Sequence, residues 1–146
     1  MGIASGQHGY FTTGQALNSG YSDSLLSHHV KKGFFLRAHR GVYRLRDFPS
    51  TPREEVMAAW LAVGAERTAV SHESALDLYG LSDIIPIAIN LSVPRAVRNL
   101  PKLPGVNIHT TTRTLGPGDV VTRDGLRVTS VARSIADAAE KGTGPE

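Results

Sequence analysis

The segment Lys31–Leu45, KKGFFLRAHRGVYRL, constrains the fold of this chain more than any other stretch. Apolar and polar residues alternate on both sides of Arg40-Gly41, and such alternation is typical of strands with one buried face. A glycine suits the positive φ that a tight hairpin turn requires. The segment therefore predicts two short antiparallel strands, FFLRAH and VYRLR, joined at Arg40-Gly41.

Two helices joined by a tight turn are predicted before this hairpin. The first lies in FTTGQALNSG and the second in YSDSLLSHHVKKG, which ends at Gly33. Candidate N-caps are Thr12 or Thr13 for the first helix and Ser22 or Asp23 for the second. The side chains expected to pack inward from the second helix are Leu25, Leu26, His29 and Val30. With a weaker helix over residues 2–9, this order predicts a winged helix-turn-helix over residues 1–48.

Positive charge is concentrated in this first third of the sequence. The chain of 146 residues carries a net charge of +3. Residues 1–50 hold six Lys and Arg against two Asp, which is 6 − 2 = +4, so the remainder carries −1. All six of these basic residues lie between Lys31 and Arg46. This asymmetry indicates a polyanionic partner for the first third.

A DNA-binding surface is predicted on the second helix and the hairpin. A helix in the major groove needs short polar side chains near its N-terminus and cations near its end. Alternation puts Arg37, His39, Arg44 and Arg46 on one solvent-facing side of the hairpin. Base edges are the predicted targets of Ser24, Ser27 and His28, and phosphates those of Lys31, Lys32 and Arg40. Phosphates or the minor groove are the predicted targets of Arg37, Arg44 and Arg46. The predicted DNA-binding set also includes Thr13 and Ser22. The alternative is a solvated surface without a partner.

Residues 51–146 are predicted to form a small α+β domain with a mixed or antiparallel sheet, so that the whole chain is α+β. A linker, FPSTPREE (48–55), separates it from the first region. Three helices are predicted: one that begins at Thr51-Pro52, one over Ser71–Tyr79 and one in SVARSIADAAEKG. Strands are predicted in PIAINLSVP, GVNIHT and DVVTRDGLRVT, and the last of these is a hairpin that turns at Asp124-Gly125. Side chains expected to face inward are Ile87, Ile89, Leu91 and Val93 on the first strand, and Val131 or Ala132, Ile135, Ala136 and Ala139 on the last helix.

No enzymatic activity, cofactor or metal site is predicted. The chain has no cysteine, which excludes disulfides and thiolate chemistry. Ser71 and His72 are neighbours in a predicted helix, where adjacent side chains point in different directions and cannot form a relay. Asp119, Asp124 and Asp137 lack the lysine that a nuclease carboxylate set requires. No bilayer-spanning apolar run or signal peptide is apparent, so a cytoplasmic location is expected.

Four segments carry a resemblance to a known family. FTTGQALNSGYSDSLLSHHVKKGFFLRAHRGVYRL, SHESALDLYGL, LSVPR and RDGLRVTSVARSIADAA occur in this order between about Tyr10 and Ala139. In order and spacing they resemble the AbiEi family of antitoxins. The resemblance implies a recognition helix at Ser22–Lys32, a wing at Phe34–Arg46 and an antitoxin domain over about Thr51–Glu146. Many relatives continue past the RSIADAA helix, whereas this sequence ends at EKGTGPE, which implies a short member or a truncated chain.

The resemblance also implies a function. It implies a bacterial antitoxin that neutralises an AbiEii-type nucleotidyltransferase toxin of the same operon, with or without direct contact. It further implies repression of that operon through inverted repeats in its promoter, with a possible homodimer on the DNA. Two alternatives stay open: a winged-helix regulator whose second domain senses a ligand or mediates assembly, and a nucleic-acid-processing enzyme.

Overall fold

The computed structural model describes residues 2–82, 86–111 and 115–142. The chain divides into two compact units, Met1–Ala62 and Val63–Glu146. This division falls later than the predicted boundary at residues 48–51, because most of the helix Glu54–Val63 groups with the first unit. The predicted boundary therefore stays a prediction.

The first unit has the element order of a winged helix-turn-helix. Its elements are α1 (Gly2–Ser5), β1 (Tyr10–Thr12), α2 (Thr13–Asn18), α3 (Asp23–Lys31), β2 (Phe35–His39), β3 (Val42–Leu45) and α4 (Glu54–Val63). The strands form an antiparallel sheet of order β1-β3-β2, in which the hairpin β2–β3 is the wing. The predicted helix pair and hairpin are thus confirmed. Strand β1 is not predicted, because its three residues are too few to show an alternating pattern.

Local side-chain chemistry fixes the ends of α2 and α3. Thr12 is the N-cap of α2: its Oγ1 accepts a hydrogen bond from the Gln15 N–H at 3.1 Å, and the Thr12 N–H donates to Gln15 Oε1 at 2.9 Å. This reciprocal pair is a capping box. Ser22 caps α3, because its Oγ accepts from the Leu25 N–H at 3.1 Å. Asp23 is therefore the first helical residue of α3.

Three aromatic rings form the centre of the first unit's core. Phe11 packs edge-on against Phe35 at a centroid distance of 4.9 Å and stacks on Tyr43 at 5.6 Å. Helix α3 contributes Leu26, which is buried. The expectation that Leu25 packs inward is wrong, since its side chain is exposed. One residue along a helix rotates a side chain by about 100°, so Leu25 and Leu26 cannot both face the core squarely.

The second unit is built on a mixed five-stranded sheet. Its elements are β4 (Ala69–Val70), α5 (His72–Leu78), β5 (Ile89–Pro94), β6 (Val106–Thr111), β7 (Val120–Arg123), β8 (Leu126–Thr129) and α6 (Val131–Gly142). The strand order is β6-β5-β4-β8-β7, with β4–β8 and β5–β6 parallel. The α+β class is confirmed and the sheet is of the mixed kind. Asp124-Gly125 forms the predicted turn, with both residues at positive φ.

Two predicted element boundaries are wrong in this structure. Helix α4 begins at Glu54 instead of Thr51-Pro52, because Arg53 has φ 62° and a right-handed helix cannot pass through that conformation. Strand β5 begins at Ile89, so Ile87 lies before it and is fully exposed. The rest of β5 carries buried side chains on both faces, including Leu91 and Ser92.

Helix α6 faces the opposite way from the prediction. The residues expected to be buried, Val131 or Ala132, Ile135, Ala136 and Ala139, are exposed. Hydrogen bonds orient the helix instead: the buried Ser134 Oγ bonds Thr129 Oγ1 at 2.6 Å, and Arg133 Nε donates to Asp137 Oδ1 at 3.0 Å. The polar side of α6 therefore faces the sheet, and its apolar side faces outward.

None of the helices in residues 2–82, 86–111 and 115–142 combines the length and the apolar character needed to cross a bilayer.

Candidate nucleic-acid interface

The outward side of α3 presents a continuous polar surface, which we call the α3 face. It consists of five exposed residues that line an open depression of about 450 Å³: Asp23, Ser24, Ser27, His28 and Lys31. Leu26 anchors the opposite side of the helix in the core. The structure thus brings together four predicted contact residues, and contact with DNA remains a prediction.

The adjacent histidines of α3 point to different environments. His28 is exposed on the α3 face, whereas His29 packs its ring edge-on against Phe35 at a centroid distance of 4.9 Å. Tyr21 and Phe34 also contact the His29 ring at 5.8 and 5.9 Å. Within the described part of the chain, the buried His29 Nδ1 has no hydrogen-bond partner. His29 is therefore a packing residue of the first unit.

Thr13 and Ser22 hold the surrounding backbone in place. The Thr13 N–H donates to the Gly41 carbonyl at 3.0 Å, which joins the start of α2 to the turn of the wing. Gly41 has φ 73°, as the turn prediction requires. The Ser22 hydroxyl accepts the capping hydrogen bond of α3. Both residues therefore position the helix-turn-helix, and any direct contact with DNA remains a prediction.

The basic residues of the wing do not share one face, so this prediction is wrong. In the register of β2 and β3, Arg37 lies opposite Tyr43 and Leu36 lies opposite Arg44. Cross-strand partners share a face and successive residues alternate, so Arg37 and Arg44 lie on opposite faces. The register also shifts between Arg37 and His39, which further separates the wing tip from its base.

Arg44 is bound within the first unit and does not present a free guanidinium. Its side chain is 12% exposed. Nη1 donates to the Leu45 carbonyl at 2.8 Å, and Nη2 donates to the Phe48 carbonyl at 2.8 Å and to Glu54 Oε2 at 3.1 Å. The expectation that Arg44 contacts DNA is therefore corrected, because these three acceptors engage both terminal nitrogens of a largely buried guanidinium.

The other cations of the first unit remain accessible. Arg37 is exposed with its guanidinium 5.9 Å from the centre of the Tyr43 ring. Arg46 is exposed but pairs with Asp47 at 3.2 Å. Lys31, Lys32 and Arg40 are also exposed, and within residues 2–82, 86–111 and 115–142 they have no ion pair or hydrogen bond from their side chains. These three are the cations best placed to meet phosphates.

Glu54 joins the base of the wing to the start of α4. Its carboxylate accepts hydrogen bonds from Arg44 Nη2 at 3.1 Å and from the Thr51 N–H at 3.2 Å. Burial opposes ionisation of Glu54, but these hydrogen bonds and the charge of Arg44 together lower its pKa below the ordinary value. Burial, followed by the charge of Glu54, raises the pKa of the Tyr10 phenol nearby.

The lowered pKa of Glu54 predicts an acid-dependent loss of stability. An unfolded chain binds a proton at Glu54 at a higher pH than the folded chain does, so the contribution is complete above about pH 5 and is lost as the pH falls through the folded pKa. We expect Glu54→Gln to flatten the decline in the free energy of unfolding as the pH falls below about 5, measured by urea titration. Glu55→Gln, at the exposed neighbouring residue, should leave the decline unchanged; equal flattening by both variants contradicts the assignment.

A buried polar cluster lies in the second unit. Ser71 Oγ bonds His72 Nδ1 at 2.8 Å and accepts from Ser92 Oγ at 2.6 Å. The His72 ring stacks on His109 at a centroid distance of 4.0 Å, and His109 Nε2 bonds Asn90 Oδ1 at 3.0 Å. Ser71 and Ser92 are completely buried, whereas His109 is partly exposed.

This cluster corrects the expectation that the side chains of Ser71 and His72 point in different directions. Ser71 is the N-cap residue of α5, but its hydroxyl makes no capping hydrogen bond and turns to His72 instead. His72 has φ 56°, which brings the two adjacent side chains together. The polar residues at alternate positions of β5, Asn90 and Ser92, are the signal in the sequence that could have revealed the cluster.

Two of the three aspartates considered as a carboxylate set do converge. Asp119 Oδ2 lies 3.5 Å from Arg133 Nη1, and Asp137 Oδ1 lies 3.0 Å from Arg133 Nε. Asp124 occupies the β7–β8 turn. Arg133 bridges the two carboxylates, and it joins the start of α6 to the segment before β7.

Comparison with protein families gives one match, which covers part of the first unit. Residues 3–46 match a family described as a transcriptional regulator and AbiEi antitoxin. The matched segment runs from α1 to the end of the wing, and it confirms the suspected family for that part of the chain. A comparison with curated proteins gave no match.

Proposed function

We propose that the first unit binds double-stranded DNA of its own promoter as a transcriptional regulator of the AbiEi antitoxin type. The observation that supports this proposal most is the α3 face, where exposed polar side chains lead along one side of the helix to Lys31. Such a surface suits base edges at one end and phosphates at the other. The matched family description supports the same role for residues 3–46.

The wing supplies the second part of the proposed interface. Arg40 is exposed at its turn, and the hydrogen bond from Thr13 to Gly41 holds that turn against the start of α2. Arg37 and Arg46 are exposed on the strand and just beyond it. We assign Arg40 to phosphate contact, with Arg37 and Arg46 as flanking contacts on different sides of the wing. Two copies would occupy an inverted repeat.

The second unit is proposed to supply the antitoxin function, without catalysis and in the cytoplasm. Its partner would be a nucleotidyltransferase-type toxin encoded nearby, met directly or through control of its transcription. The alternative is a winged-helix regulator whose second unit mediates assembly, and the outward apolar side of α6 favours it. Co-expression with the neighbouring toxin separates the two: growth restored by the full chain supports an antitoxin, and continued growth arrest contradicts it.

Base reading by α3 gives a prediction about sequence selectivity. We expect Ser27→Ala and His28→Ala each to reduce the preference for promoter DNA over a scrambled duplex by about 1–3 kcal/mol per lost base contact. The salt dependence of binding should stay the same, because neither change removes a phosphate contact. Fluorescence anisotropy with both duplexes measures this difference.

Ser50→Ala provides the matched control, since Ser50 is exposed in the first unit outside the α3 face. It should leave the preference unchanged. If Ser27→Ala and His28→Ala weaken promoter and scrambled DNA equally, these side chains do not read bases.

A further inference from the structure

We infer that Asp23 selects a cytosine in the DNA site and so contributes to the sequence specificity of the α3 face. This inference rests on the DNA-binding function proposed above. Asp23 is the first residue of α3 and lines the same depression as Ser27 and Lys31. These three residues are spaced four apart, so they follow one side of the helix.

The position of Asp23 places its carboxylate at the end of the helix that approaches base edges. In helix-turn-helix proteins the N-terminal residues of the recognition helix contact the bases. Asp23 is exposed, and across residues 2–82, 86–111 and 115–142 no hydrogen bond or ion pair engages its carboxylate. Asp47 differs in this respect, because Arg46 binds its carboxylate at 3.2 and 3.3 Å. The capping role at the start of α3 already belongs to Ser22.

The chemistry of the major groove determines which base can accept this side chain. A carboxylate only accepts hydrogen bonds, and surrounding phosphates repel it unless a donor meets it. The amino donors in the groove belong to cytosine N4 and adenine N6. Adenine also presents the N7 acceptor beside its amino group, which repels a carboxylate, whereas cytosine presents no acceptor there. The Asp23 carboxylate therefore matches cytosine.

The conservative variant has a distinct expected preference. In Asp23→Asn the side chain gains a donor and keeps an acceptor, which is the pattern that matches adenine N6 and N7. We therefore expect the selected base to change from cytosine to adenine at one position of the site. In Asp23→Ala the preference at that position should fall on the order of tenfold, because the contact is removed without a replacement.

Selection from a library of randomised duplexes by the full chain tests this inference. Wild type should enrich cytosine at one position of the selected site. Asp23→Asn should enrich adenine at that position, and Asp23→Ala should show a reduced preference for cytosine there. The matched control is Asp47→Asn, which changes the net charge equally at a carboxylate engaged by Arg46 and should keep cytosine. Circular dichroism melting verifies that each variant is folded.

Two results overturn the inference in distinguishable ways. A folded Asp23→Asn that keeps the wild-type preference, or an equal change in Asp47→Asn, removes Asp23 as a reader while leaving DNA binding intact. Failure of the wild type to enrich any sequence overturns the proposed function itself, and the assignment of Asp23 with it.

Discussion

Replacing Lys31, Lys32 and Arg40 by Gln in one variant is expected to weaken duplex binding on the order of 10²–10³-fold at about 0.1 M salt. Each phosphate contact releases counterions, so log K falls with log salt by about 0.9 per contact on B-DNA. Loss of three contacts should therefore reduce the slope by about 2.7. The loss should be equal for promoter and scrambled DNA, since phosphates carry no sequence information.

The structural basis of this expectation is the availability of the three cations. All three are exposed, and in the described part of the chain no carboxylate pairs with them. The two lysines close α3, and Arg40 lies at the wing turn. Their removal should change stability by no more than about 1 kcal/mol, because all three side chains are exposed and only the two lysines lie at the C-terminal end of a helix.

A triple variant of Arg95, Arg98 and Lys102 is the matched control. These residues are exposed in the second unit, and their replacement by Gln removes the same charge. We expect the control to keep the wild-type slope of log K against log salt when DNA binding is measured at several salt concentrations. An equal loss in both variants would mean that binding follows net charge, and that the α3 face and the wing are not the interface.

Arg44→Met is expected to lower the free energy of unfolding by about 2–4 kcal/mol. The change keeps an apolar stem of similar length but removes the donors to the Leu45 and Phe48 carbonyls and to Glu54. It leaves the half-buried Glu54 carboxylate without its cationic partner, and an uncompensated charge with low exposure is costly. Denaturation by urea measures the effect.

A DNA-binding measurement distinguishes the structural role of Arg44 from the phosphate contact that the sequence predicts for it. Folded Arg44→Met should keep the wild-type salt slope, because its guanidinium is already bound by protein acceptors. Arg37→Met is the matched control for stability only, since Arg37 is exposed on the other face of the wing and its loss should change the free energy of unfolding by less than about 1 kcal/mol. A stable Arg44→Met with a slope reduced by about one would contradict the structural assignment.

The features predicted correctly are those determined by neighbouring residues. Thr12 and Ser22 cap their helices through backbone groups only three residues away, and Gly41 supplies the positive φ of the wing turn. Asp124-Gly125 turns the second hairpin for the same reason. Such local preferences hold whatever the rest of the chain does, and they sufficed to predict the winged helix-turn-helix.

The features predicted wrongly depend on residues distant in the sequence or on unusual backbone conformations. Arg44 appeared to be a free wing cation, because its partner Glu54 lies ten residues away beyond the linker. Helix α6 reverses its apolar side because Ser134 bonds Thr129 on β8, and periodicity alone does not reveal that contact. Ser71 meets His72 only because His72 adopts a positive φ.

The residues of the α3 face were predicted correctly only in part. The helical spacing of Ser24, Ser27 and Lys31 is a local property, and it placed them correctly on one exposed side. Asp23 was considered only as a cap, because the choice between Ser22 and Asp23 depends on the backbone conformation at the helix start. Once Ser22 takes that role, the Asp23 carboxylate is free to face a ligand.

The most direct test of the central claim is a salt-titrated binding measurement of the full chain with its own promoter DNA and with a scrambled duplex. The account predicts tight binding to the promoter, weaker binding to the scrambled sequence, and affinity for both that falls steeply as salt rises. Absence of binding to either duplex at moderate salt would contradict it, and would show that the basic first third is a solvated surface.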